Sequence, residues 1–147
     1  MKIFADNKKA YFSYEILEKF EAGIALNGQE VKSLRTSGIS LAGSYVILKD
    51  GEAFWIGAKI PPYQPLNAPA NYDSERSRKL LLKKKEIRYL IGKSMQKGLT
   101  LVPLRLYTND SKIKLEFATA KGKKQFDKRQ LINKRETARE IRRAFKG

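Results

Sequence analysis

The sequence predicts a mainly β protein, a small antiparallel barrel with few helices and a basic C-terminal tail. Three observations carry that reading. Apolar and polar residues alternate over several stretches, as in KIKLEFA from Lys112 to Ala118. Two hairpin signals punctuate the chain. The last eighteen residues, after Arg129, hold almost nothing to bury. A length of 147 residues suits one domain with an appendage, and 41% hydrophobic content is enough for a real core.

Residues 1–12 read as basic and irregular. From Tyr14 to Leu26 the residues Tyr14, Ile16, Phe20, Ala22, Ile24 and Leu26 share one face of a strand, with Glu18 the exception. NGQEVKSLR follows. Asn27 and Glu30, three apart, form the pattern of a capping box, in which each side chain satisfies the other's backbone N–H. A short helix should start there, with Val31 and Leu34 inward, Lys32 and Arg35 outward, and an end near Gly38.

SYVILKDGEAFWIGAKI is the clearest hairpin. Asp50-Gly51 can supply the positive φ angles of a tight turn between β-branched and aromatic arms. A loop stiffened by Pro61, Pro62, Pro65 and Pro69 then carries Tyr63 and Tyr72. The main helix is expected from about Arg78 to Lys97, with Leu80, Ile87, Leu90, Ile91 and Met95 near one face. Gly98 would end it, and Lys93 and Lys97 suit the negative end of its dipole. A second hairpin follows, with Thr108-Asn109-Asp110 as its turn. Pro103 inside its first arm requires an edge or a bulge. Five or so strands in about 120 residues point to a closed barrel of the oligonucleotide-binding type, occupying residues 1–120.

Charge narrows the function. Thirty-one Lys and Arg face fifteen Asp and Glu, a net of +16. Residues 121–147 hold eleven basic and three acidic side chains, so half of the excess lies in the tail. A field of this kind draws polyanions by releasing their counterions, and nucleic acid is the commonest of them. Without cysteine or histidine, disulfides, zinc fingers, thiol nucleophiles and His-based triads are excluded. No phosphate-cradling glycine motif is present, and nothing calls for a metal or cofactor. No apolar run reaches the length of a membrane span, and MKIFADNKK is too short for a secretory signal, so a soluble cytoplasmic protein is expected.

In the tail, Leu131, Ala138, Ile141 and Phe145 fall at helical spacing, but this thin stripe sits among mutually repelling cations. Isolated helices of this length are marginal in water. The tail, residues 121–147, is therefore expected to be largely disordered when free and helical against a polyanion.

EAGIALNGQEVKSLR (Glu21–Arg35), SYVILKDGEAF (Ser44–Phe54), RSRKLLLKKKEI (Arg76–Ile87), KGLTLVPLRLY (Lys97–Tyr107) and AKGKKQFDKR (Ala120–Arg129) together resemble the small protein B (SmpB) family. That family is the transfer-messenger-RNA (tmRNA) binding partner of bacterial ribosome rescue. The resemblance implies an oligonucleotide-binding-type barrel that grips the tRNA-like domain of tmRNA. It also implies entry into the A site of a stalled ribosome, with the tail in the decoding centre and message channel, and no reaction catalysed.

Carried over residue by residue, the resemblance implies RNA-binding roles for Glu30, Lys121, Lys123 and Lys124; the cations Lys32, Arg35, Arg76, Arg78, Lys79 and Lys83 are further candidates for contact with RNA backbone. Glu30 has its capping role besides. Lys121, Lys123 and Lys124 surround Gly122, whose freedom of backbone angle would suit a phosphate clamp. In the tail, the resemblance assigns Phe126 to stacking on a decoding-centre base. Asp127, Lys128 and Arg129 match its DKR motif, and Lys134, Arg135, Arg139, Arg142 and Arg143 supply cations to ribosomal RNA. The expected partners are tmRNA and the ribosome, with the protein a monomer on its RNA. A small basic ribonuclease using Glu, Lys and Tyr, or a structural ribosomal protein, are the alternative readings.

Overall fold

In the computed structural model, which describes residues 2–67 and 70–123, the sheet closes on itself. The described elements are β1 (Lys2–Asp6), α1 (Lys8–Ser13), β2 (Tyr14–Ile24), α2 (Gly28–Ser37), β3 (Tyr45–Lys49) and β4 (Glu52–Ile56). They continue through a single 3-10 turn (Pro65–Asn67) to β5 (Arg78–Leu81), α3 (Lys84–Ser94), β6 (Leu99–Asn109) and β7 (Lys112–Gly122). All strand pairings are antiparallel. The order β6-β3-β4-β5-β2-β7 returns to β6, and β1 adds to the far end of β6. This is the small barrel that the alternation requires, with its edges paired rather than left open.

Inside the barrel, Trp55, Leu80, Leu106, Leu115 and Phe117 are buried, and Phe20 stacks on Phe117 with ring centroids 5.6 Å apart. Leu34 from α2 and Leu90 from α3 join the same core. A second, smaller cluster lies outside the wall, where Ala10 of α1 covers Val102, Leu104, Ala118 and Ala120.

Local signals formed as expected. The Asp50-Gly51 turn has φ of 52° and 74°, the two positive angles that a two-residue hairpin of this twist needs. Pro103 sits where the β6–β7 register slips, so the bulge absorbs its missing donor. Glu18, the exception in the β2 alternation, follows a bulge of its own, between Ile16 and Glu18.

Four expectations need correction. Residues 1–12 are not irregular but hold β1 and α1, because the far half of β6 has a free edge that Lys2–Asp6 pairs. The main helix does not begin at Arg78. Arg78 to Leu81 alternates buried and exposed and fills the gap between β4 and β2 as β5. The helix proper runs from Lys84, with Lys83 as its cap and Lys83 N donating to Glu86 Oε1 at 3.3 Å, and ends at Ser94, leaving Met95 80% exposed. The second hairpin turns at Asp110 and Ser111, both at positive φ, one residue later than expected. Strands therefore number seven among the described residues. Strand β7 runs on to Gly122, and Lys123 N donates to Ser13 O at 2.9 Å. Among the described residues no helix is long and apolar enough to cross a membrane. The expected disorder and helical stripe of the tail fall outside the described residues.

Candidate nucleic-acid interface

The site is built around a carboxylate that sequence reasoning marked for its cap. Glu30 N donates to Asn27 Oδ1 at 2.9 Å and Asn27 N donates to Glu30 Oε1 at 3.0 Å, the complete capping box. The same carboxylate carries two further bonds. Arg76 Nη2 donates to Oε1 at 2.5 Å, and Arg78 Nε donates to Oε2 at 2.7 Å. Arg78 Nη1 donates to Ala58 O at 2.7 Å and Nη2 to Ser74 O at 2.9 Å, with the guanidinium 5.9 Å from the Trp55 ring. Arg76 reaches Ala25 O at 3.0 Å. One buried anion thus ties α2, the end of β2, the segment after β4, the loop before β5, and β5 itself.

Both Glu30 and Arg78 are fully buried. Burial pushes the Glu30 carboxyl up, but the bonds from Arg76, Asn27 N–H and Arg78, with the Arg78 charge, outweigh it and hold the group below its usual range. A buried pair so completely bonded is expensive to break from one side. Its geometry also bears on one assignment. Arg78 has no exposed surface with which to meet a phosphate, so the expected direct RNA contact by Arg78 is corrected. Glu30 is buried with it, beneath the surface that α2 and the neighbouring loop present.

That surface is basic. Lys32 and Arg35 are exposed on the outer face of α2, as expected. The Lys32 ammonium lies 5.9 Å from the ring centroid of Tyr63, and Gln29 Oε1, one turn earlier, accepts from Tyr63 N at 3.2 Å. Tyr72 serves the loop, its hydroxyl donating to Ile60 O at 2.7 Å. Between α2 and the segment around Tyr72 opens a cleft of about 340 Å³. Arg76 keeps about a third of its side chain exposed, Lys79 is exposed and bonded to Glu52 at 3.0 Å, and Lys83 is exposed at the α3 cap.

The tail-root lysines lie elsewhere. Lys121 is exposed on β7 with Glu15 and Leu99 as its register neighbours, and Lys123 Nζ donates to Tyr11 O at 3.0 Å. Gly122 pairs with Tyr14 in the strand and is not among the positive-φ glycines, so the unusual backbone expected of it is absent. A cleft of about 410 Å³ beside this root includes Lys9, Tyr14, Tyr45 and Lys123. Strand β2 begins at this end, with Tyr14 opposite Gly122, and finishes at the other, with Ile24 opposite Leu80. Its eleven residues set the two basic groups roughly 30 Å apart along the strand. Lys124, Phe126, Asp127, Lys128, Arg129, Lys134, Arg135, Arg139, Arg142 and Arg143 lie outside the described residues.

One feature was missed. Leu81 is 56% exposed at the outer end of β5, and its register partner Gly23 also pairs with Lys114. An apolar side chain over a glycine, near a lysine, is a surface that only the strand reading of RKLL would have revealed.

The family model of the SmpB protein matches residues 4–147. The chain belongs to the SmpB family. It is 51% identical over 146 residues to the SsrA-binding protein of Sulfurihydrogenibium sp. (strain YO3AOP1), covering 99% of this chain and 95% of that one. To the SsrA-binding protein of Thermosipho melanesiensis it is 51% identical over 150 residues, with both chains fully covered. The barrel is similar to a chain in a solved structure described as "tmRNA-SmpB: a journey to the center of the bacterial ribosome". The TM-score is 0.69 at 47% identity, over 85% of this chain and 87% of that one. SmpB membership therefore spans both the barrel and the basic residues beyond Lys123.

Proposed function

We propose that this protein is a non-catalytic RNA-binding adaptor of ribosome rescue. It binds the tRNA-like domain of tmRNA and carries it into the A site of stalled ribosomes for trans-translation. The observation that carries the reading is family membership over nearly the whole chain, joined to two basic groups at opposite ends of β2. One end, with Lys32, Arg35, Arg76, Lys79 and Lys83, is assigned to the tRNA-like RNA. The other, with Lys121 and Lys123, precedes Lys124, also assigned to RNA, and the residues assigned to the ribosome: Phe126, Asp127, Lys128, Arg129, Lys134, Arg135, Arg139, Arg142 and Arg143. Phosphate contacts of this kind fix register and orientation on an RNA without reading its sequence, as shape recognition of a tRNA fold requires.

The protein acts in the cytoplasm as a monomer on its RNA, with no membrane partner. The test is capture of the tagged protein from a bacterial lysate with sequencing of the bound RNA, and incubation of the pure protein with labelled tRNA-like RNA. Enrichment of tmRNA and an intact strand are expected. Bulk transcripts without enrichment, or cleavage of the strand, would overturn the proposal.

A further inference from the structure

Two tyrosines share the proline-rich loop, and the structure separates their roles. Tyr72 is half-buried, with its hydroxyl donating to Ile60 O, and so holds the loop to the barrel. Tyr63 is held differently. Its backbone N–H is bonded to Gln29, its ring lies near the Lys32 ammonium, and the residue remains 38% exposed. Gln29 and Lys32 are one turn apart on α2, whose start is locked by the Asn27–Glu30 box. Pro61, Pro62 and Pro65 restrict the backbone around the ring. An exposed aromatic in so restricted a place loses little freedom on binding, which is the condition for a pre-formed contact.

We infer that Tyr63 and Lys32 form a stacking platform for one unpaired base of the bound RNA. The inference rests on the RNA-binding reading above and adds a base contact to it. A tyrosine ring accepts any base on its π-face, and a cation beside it neutralises the adjoining phosphate. The surroundings favour RNA over a protein partner, because Lys32 lies against the ring and Arg35, the next exposed cation along α2, carries the same charge. The cleft next to Tyr63 has a different chemistry from the lysine-rich surfaces. Asn27, Gln29, Asn71 and Asp73 line it, offering both donors and acceptors, as the edge of a neighbouring base requires. Gln29 joins the two, lining the cleft while holding Tyr63.

The experiment uses the full chain and a transcript of the tRNA-like domain carrying 2-aminopurine at one unpaired loop position at a time. Quenching at one position is expected with the unaltered protein and with Tyr63→Phe. Tyr63→Leu should abolish the quenching and weaken binding about tenfold or more. Thermal melts confirm folding, and Tyr63→Ser replaces Tyr63→Leu if the latter does not fold. Unchanged affinity and quenching in a folded Tyr63→Leu or Tyr63→Ser protein would overturn the platform while leaving the adaptor reading intact. Crosslinking of position 63 to a protein rather than RNA would overturn it as well. Failure of the unaltered protein to bind the transcript would overturn the adaptor reading itself, and this inference with it.

Discussion

Glu30 and Arg78 form an ion pair of 2.7 Å with both side chains fully withdrawn from solvent. Removing the carboxylate strands a buried guanidinium, and breaking such a pair from one side costs about 3–5 kcal/mol. Glu30→Ala should therefore lower stability in urea unfolding by about that amount. RNA affinity should fall with it, since α2 and the loop before β5 lose their common tie. A variant of unchanged stability and weakened binding would mean that Glu30 touches RNA itself.

The same pair sets an acid limb. The Glu30 carboxyl is held below its ordinary value of 4.5, so the folded state binds its proton less readily than the unfolded chain. Its contribution is complete above that value and declines as pH falls through the folded one. Glu30→Gln should be less stable than the parent at pH 7, and the gap should narrow as pH drops below 4.5. Urea midpoints measured from pH 7 down to pH 3 check this; a constant gap would contradict it.

Exposed and buried cations should respond differently to salt. Lys32→Ala should weaken binding to the tRNA-like RNA and reduce the slope of log K against log salt by about one. Arg78→Met should act through stability instead. If the slope is unchanged in Lys32→Ala, the α2 face is not the RNA surface.

Deletion of residues 130–147 is expected to leave binding to the tRNA-like RNA near normal, because the assigned cations of that surface lie on the barrel. Tagging of stalled peptides should be lost in the same variant. Filter binding and a tagging assay read the two separately, and normal tagging would remove the tail from the mechanism.

Gly51 occupies a φ of 74°, where a Cβ is strained. Gly51→Ala should lower stability by about 1–2 kcal/mol without changing RNA affinity in the folded protein. Chemical unfolding beside a binding titration measures both.

What the sequence made legible was local. Asn27 with Glu30 and Asp50 with Gly51 act on backbone two or three residues away, and both formed as their chemistry requires. Pro103 announced a defect in a strand, and the register slip supplied it. The larger misses were non-local. RKLL resembles the start of the helix that follows it, and only the vacancy between β4 and β2 makes it a strand. Arg78 reads as one more surface cation until Glu30, forty-eight residues earlier, is found against it. Lys2–Asp6 is too short to declare itself without the edge of β6. Composition pointed to a polyanion partner but could not sort cations by exposure, which depends on side-chain packing across the barrel.

The bond from Lys123 N–H to Ser13 O gives the barrel a fixed exit port. Because β2 links that port to the loop-facing end in one continuous strand, turning the barrel on its RNA also aims the point from which the following residues depart. Docking at one end thereby selects the bearing of the other, as the sights of an instrument follow its mount. A glycine-rich insertion after Lys121 would uncouple the two, and rescue would fail although each half still found its target.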